Sequence, residues 1–164
     1  MDPTKKELYV AKRPSGVNTD DPAIQEGWDR VRNDDNSATW ILLSLNNTVV
    51  SVKSVGADID EFISQLNDDE ILFGGIRTSI NDQTKFFHVY FVGSNVGGMK
   101  KGKASLYESG IFQALEGCGG KIQLSNGLQD ATKDEIISRI RGVTKMADAQ
   151  VIILGKKESK CMHQ

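Results

Sequence analysis

Apolar residues recur along this chain at two distinct periods, and the alternation between them predicts its elements. Behind Asp21-Pro22, an N-cap followed by proline at the first helical position, Ile24, Trp28 and Val31 recur at helical spacing. Ala38 to Leu45 is apolar on both faces, which predicts a strand inside a sheet rather than at its edge. Asn46-Asn47 supplies a turn into a second strand, Thr48 to Val55. Asp58 then opens a short helix with Glu61 three residues on, and Ile59, Phe62, Ile63 and Leu66 fill one face. Glu70 to Ile80 and Thr84 to Val92 are strands joined by the polar turn Asn81-Asp82-Gln83. The second of these is apolar on both sides and must be covered twice. A glycine-rich junction leads into a helix from about Met99 to Glu116. Lys121 to Ser125 predicts a short strand. Thr132 and Glu135 form a capping box for a helix through Arg141 that stops near Gly142, and Gln150 to Leu154 predicts one further strand.

Hairpins joined by helices imply an α/β (α+β) fold: a central mixed sheet of five to six strands, sandwiched by helices on both faces. Residues 1–20 carry few apolar groups and read as a mobile N-terminal extension. Residues 21–155 form the domain, and 156–164 read as a flexible tail. The length, 164 residues, suits one domain with a real core. Two distant cysteines, Cys118 and Cys161, do not make a disulfide framework. With no apolar leader and no membrane-length apolar run, a cytoplasmic protein is expected. The net charge of −2 implies neither nucleic acid nor membrane, so an anionic partner must be met by a local basic patch.

Lys100, Lys101 and Lys103 place three positive charges at the start of a helix, the end where the helix dipole disfavours them. Intrinsic helix stability therefore does not explain them. They read either as a solvated face or, with Lys85, Arg77, Arg139 and Arg141 on neighbouring elements, as a surface for an acidic partner. The run from Gly97 to Ala104 also nearly spells the phosphate-binding loop GxxxxGK[ST]. Ala104 stands where the magnesium-holding hydroxyl belongs, which argues against nucleotide hydrolysis. His88 lies in an aromatic strand, and no second ordered histidine accompanies it for zinc. Cys118 reads as a small residue beside a helix stop, and the carboxylates form no acid–base pair. No cofactor and no catalysis are expected.

Several strings, taken in order, resemble the ADF homology domain family, most closely its coactosin branch. They are Trp28 to Asp34 running into Ser37-Ala38-Thr39-Trp40; Leu72-Phe73-Gly74-Gly75-Ile76-Arg77; and Thr84-Lys85-Phe86. The run Val92 to Lys103 is similar to the coactosin pattern WIGxxVxGxxxAK. The resemblance covers roughly residues 21–142. It implies the sandwiched sheet and, as function, monomeric binding along filamentous actin in the cytoskeleton without catalysis. By position it implies Lys85 as the turn lysine, Lys103 as the lysine of the AK pair, and Arg139 or Arg141 as the last-helix cation. Lys100 and Lys101 fall in the same stretch. The sequence departs from the pattern at Glu108, where coactosins often carry lysine, and at Phe91, which replaces a tryptophan. Cofilin-like severing or monomer binding, nucleotide binding at Gly97–Lys103, and an adaptor with a partner other than actin are the competing readings.

Overall fold

Period-2 alternation along the strands divides the apolar residues between two cores. Trp40 and Leu42 of one strand join one core while Ile41 and Leu43 join the other, all essentially buried. The computed structural model describes residues 16–144 and 151–156. The order of elements is α1 (Pro22–Arg32), β1 (Trp40–Asn46), β2 (Val49–Gly56), α2 (Ile59–Ser64), β3 (Ile71–Ile80) and β4 (Gln83–Val92). After these come α3 (Gly98–Phe112), β5 (Lys121–Leu124), a 3-10 turn at Gly127–Asp130, α4 (Lys133–Thr144) and β6 (Ile152–Leu154). The strands form one mixed sheet ordered β2-β1-β3-β4-β5. Only β4 and β5 run parallel, while β6 pairs antiparallel with the end of β3 and continues the row begun by β1.

The first core lies under α2 and α4 and includes Trp40, Phe62, Phe87, Phe91, Ile136 and Ile140. The second lies under α1 and α3 and includes Ile24, Trp28, Val31, Phe73, Tyr90 and Ile111. The expected sheet with helices on both faces is therefore present. Gly75 shows why α1 can sit so close. A Cβ there would lie 2.5 Å from the Trp28 ring, so the bare backbone is what admits the indole. The β3–β4 hairpin closes on Asn81 and Asp82, with φ of 49° and 72°, a pair of left-handed residues that suits the twist of a tight hairpin.

Three boundaries differ from the sequence reading. Val17, assigned to the extension, is 1% exposed. Asn18 makes a parallel bridge to Val49, donating its N–H to the Thr48 carbonyl at 2.7 Å and accepting from the Val50 N–H at 2.9 Å. One buried valine and two backbone bonds on the β2 edge extend the folded unit to Gly16. At the other end Lys156, assigned to the tail, is anchored: its ammonium donates to the carbonyls of Asn33, Asp34 and Asn36 at the C-terminal end of α1. Finally, α3 ends at Phe112, four residues early. The Leu115 and Glu116 carbonyls accept instead from His88 Nε2 (2.7 Å) and Trp28 Nε1 (2.9 Å), so side chains satisfy what a longer helix would have left open. The rest of the expected extension and tail lies outside the described residues.

Candidate binding surface

The seven basic residues singled out from the sequence separate into three groups. Arg77 leaves the surface altogether. It shares a face of β3 with Phe73 and Gly75, is 5% exposed, and lies under the C-terminal end of α1. Its guanidinium donates to the Val31 carbonyl at 2.9 Å, pairs with Asp34, and lies over the Phe86 ring at 5.5 Å. The same guanidinium, by hydrogen bond and by charge, holds the exposed Asp34 carboxyl below its usual range. Arg77 therefore fastens α1 to β3 and is withdrawn from the proposed contact surface. Arg77→Ala should destabilise the domain by about 1–3 kcal/mol, because the Val31 carbonyl loses its donor. Lys85→Ala, eight residues on, should stay within about 0.5 kcal/mol. Thermal or denaturant unfolding of the two variants checks this contrast.

Arg139 and Arg141 lie on α4. Arg139 is half-buried and committed internally, to Glu135 at 2.9 Å, Asp130 at 3.2 Å and the Gln123 carbonyl. Arg141 sits two residues further along the helix, half-exposed. The last turn of α4 reaches Val143, which packs on Gly120 beside the first part of β4. Lys85 opens that part of β4 and alternates onto the same side as Phe87. The end of α4 and Lys85 thus share one end and one face of the domain. Lys85 is exposed, and its ammonium has no partner among the described residues.

Lys100, Lys101 and Lys103 stand at the other end. Strand β4 runs from Lys85 to Val92, roughly 23 Å at strand rise, before the chain turns into α3. Helix α3 then runs back across the sheet, its far end beside Phe86 and His88. All three lysines are exposed and unpaired among the described residues. The first turn of α3 holds no acid, and Gly97 offers no side-chain cap. The cations therefore sit uncompensated at the positive end of the helix dipole. Lys100 and Lys103 border a notch of about 340 Å³ between α3 and the β1–β2 turn, floored by Leu45 and Ile71. Sequence reasoning missed two neighbours. Met99 and Leu106 are 84% and 65% exposed and flank Lys103 on one helix face. Their signal was available as apolar residues at i and i+7 on the side of α3 away from Ala104 and Ile111. The nucleotide-loop reading loses its geometry here. Residues from Gly98 onward are already helical, and the Lys101 N–H is spent on the Gly97 carbonyl at 3.1 Å.

The sequence matches the family model described as cofilin/tropomyosin-type actin-binding protein over residues 16–141. The chain belongs to this family. Among curated relatives, the coactosin-like protein of Bos taurus is 22% identical over 111 residues, covering 65% of this chain and 78% of the relative. Among solved structures, human coactosin-like protein superposes with a TM-score of 0.70 at 21% identity, over 79% of this chain and 98% of that one. Mouse coactosin, an actin filament binding protein, gives 0.64 at 20% identity, over 77% and 91%. The resemblance read from the residue strings is thereby borne out for family and for fold.

Two departures from the coactosin pattern have structural consequences in this cofilin-type domain. Glu108, where the pattern carries lysine, forms an ion pair with Lys121 of β5, so that stretch of α3 is held to the sheet edge. Phe91 is fully buried in the core beneath α2 and α4. His88 and Cys118 both border a cleft beside the end of α3. Burial pushes the Cys118 thiol up to about 12, with the Arg32 charge opposing, so the thiolate nucleophile is suppressed. His88 stacks on Phe112 at 4.3 Å between centroids, and burial holds its imidazole below the ordinary 6.5. Folding therefore favours the neutral ring. This preference stabilises the domain fully above about pH 6.5. It is lost as pH falls towards the lowered folded value, because the unfolded chain takes up the proton first. The melting temperature should drop as pH is lowered through the range below about 6.5, and His88→Gln should flatten that part of the profile.

Proposed function

We propose that this chain binds along the sides of actin filaments as a cytoplasmic monomer of the cytoskeleton, modulating filament dynamics without catalysis. The observation that carries the reading is the placement of lysines unpaired among the described residues at both ends of β4, with Lys85 at one end and Lys100, Lys101 and Lys103 at the other. The two cationic contacts lie at opposite ends of β4, a strand span of roughly 23 Å and more than twice the screening length at physiological salt, and on opposite faces of the sheet, so they act as separate footholds. Such a span suits a repeating acidic surface better than one small anion. Met99 and Leu106 add apolar area beside Lys103, so the α3 contact is both charged and hydrophobic. Family membership and the mouse structure's description as an actin filament binding protein support the choice of partner. Among the described residues, no helix is long and apolar enough to cross a membrane.

The test compares partners under one buffer. Wild type should co-sediment with filaments, bind fluorescently labelled actin monomers more weakly, and hydrolyse no ATP above a protein-free control. Binding confined to monomers, or magnesium-dependent turnover abolished by Lys103→Ala, would overturn the reading.

A further inference from the structure

We propose that the notch between the first turns of α3 and the β1–β2 turn binds a medium-chain alkyl carboxylate, a fatty-acid anion of about eight to ten carbons. Its floor is aliphatic. Leu45 and Ile71 are partly buried against the second core, and Ala104 of α3 is 2% exposed. Met99 lines the α3 side, an unbranched thioether side chain that adapts to whatever it covers. Among the described residues no aromatic ring lines the notch, so it offers no stacking and suits a flexible alkyl chain. The volume of about 340 Å³ stands at the lower end of ligand pockets. At roughly 30 Å³ per non-hydrogen atom, near the share of a water in the liquid, it takes about eleven such atoms. A chain of that length with its carboxylate fills it.

The rim sets the sign of the headgroup. Lys100 and Lys103 are exposed and have no partner among the described residues. The acid in the lining, Glu70, is already engaged: it pairs with Lys53 at 3.5 Å and accepts from Asn67 Nδ2 at 2.6 Å. Behind it, Asp68 accepts from the Ser94 and Leu128 N–H groups and Asp69 from Asn95 Nδ2, and neither lines the notch. Lys101, beside Lys100 on α3, adds to the cationic side. The lining thus keeps two uncommitted cations and no uncommitted acid. Both cations are lysines, point charges without the planar fork with which arginine grips phosphate, so one carboxylate suits them. Placed at the rim, it meets Lys100 and Lys103 while its chain covers Leu45 and Ile71. An occupied notch engages both lysines, so the same ligand competes with the α3 foothold. That consequence rests on the filament-binding reading, and the binding itself does not.

Titration of the full chain with hexanoate, octanoate and decanoate, each kept below its micelle concentration and followed by NMR of the Leu45, Ile71 and Met99 methyl groups, tests the assignment. The shifts should saturate, and the affinity should rise about two- to fourfold per added methylene. Octanol and octylammonium should bind about fivefold more weakly than octanoate, or less tightly still. Lys100→Gln with Lys103→Gln removes both charges and keeps much of each stem. This variant, its fold verified by its amide spectrum, should lose the preference for carboxylate over alcohol. Shifts that do not saturate by ~20 mM decanoate, or that centre on another part of the domain, would overturn the proposal. So would affinity indifferent to chain length, which is ion pairing alone, or indifferent to the headgroup, which is apolar contact alone. No actin enters this titration, so its failure leaves the filament reading standing, and a chain that binds no filaments leaves the notch untouched.

Discussion

Replacing Trp28 with alanine should destabilise the domain by about 3–5 kcal/mol, a large part of the ~5–15 kcal/mol that holds a domain of this kind together. The indole is fully buried and joins three elements at once. Its ring lies against Gly75 of β3, meets Phe86 of β4 edge-on at 5.8 Å, and donates from Nε1 to the Glu116 carbonyl beyond α3. Alanine would open a cavity that the neighbours cannot fill, because Gly75 has no side chain to move into it. It would also strip a carbonyl of its donor. Trp28→Phe restores most of the volume but not the N–H, so it should lose distinctly less. Denaturant unfolding followed by far-UV circular dichroism separates the two. Equal midpoints for wild type and Trp28→Ala would show that α1 is not anchored as described.

The elements of this fold were legible because burial on two faces leaves a strong imprint. Strands β1, β3 and β4 are apolar at consecutive positions, and only a sheet covered twice accommodates that. Helix positions followed from the spacing of Ile24, Trp28 and Val31 and of Ile59, Phe62 and Leu66. What could not be read was long-range pairing of polar groups. Arg77 looks like any strand cation until Asp34, 43 residues earlier, is brought beside it by the packing of α1. Lys156 looks like tail until three carbonyls from the α1–β1 loop converge on it. Val17 is a lone valine in polar surroundings, and its burial depends on an edge of β2 that no local pattern announces. The exposed lysines were legible for the opposite reason. Lys85, Lys100, Lys101 and Lys103 are set by local sequence at a hairpin and a helix start, and among the described residues no distant group captures them.

The two-ended arrangement makes a quantitative demand on filament binding. Lys85→Ala and Lys103→Ala should each weaken it by about 1 kcal/mol, near fivefold, and by ~2 kcal/mol or more where the ammonium is stripped of water. The sites lie more than a screening length apart and share no partner, so the losses should add. The double variant should then bind about 30-fold more weakly, with its fold intact, since neither side chain enters a core. The most direct measurement is co-sedimentation of wild type and of the Lys85→Ala, Lys103→Ala double variant with actin filaments at ~0.05 and ~0.3 M salt, with folding checked by circular dichroism. Wild type should pellet with filaments at low salt and less at high salt, and the double variant should remain largely in the supernatant at both. A folded double variant that pellets as well as wild type at each salt concentration would contradict the account.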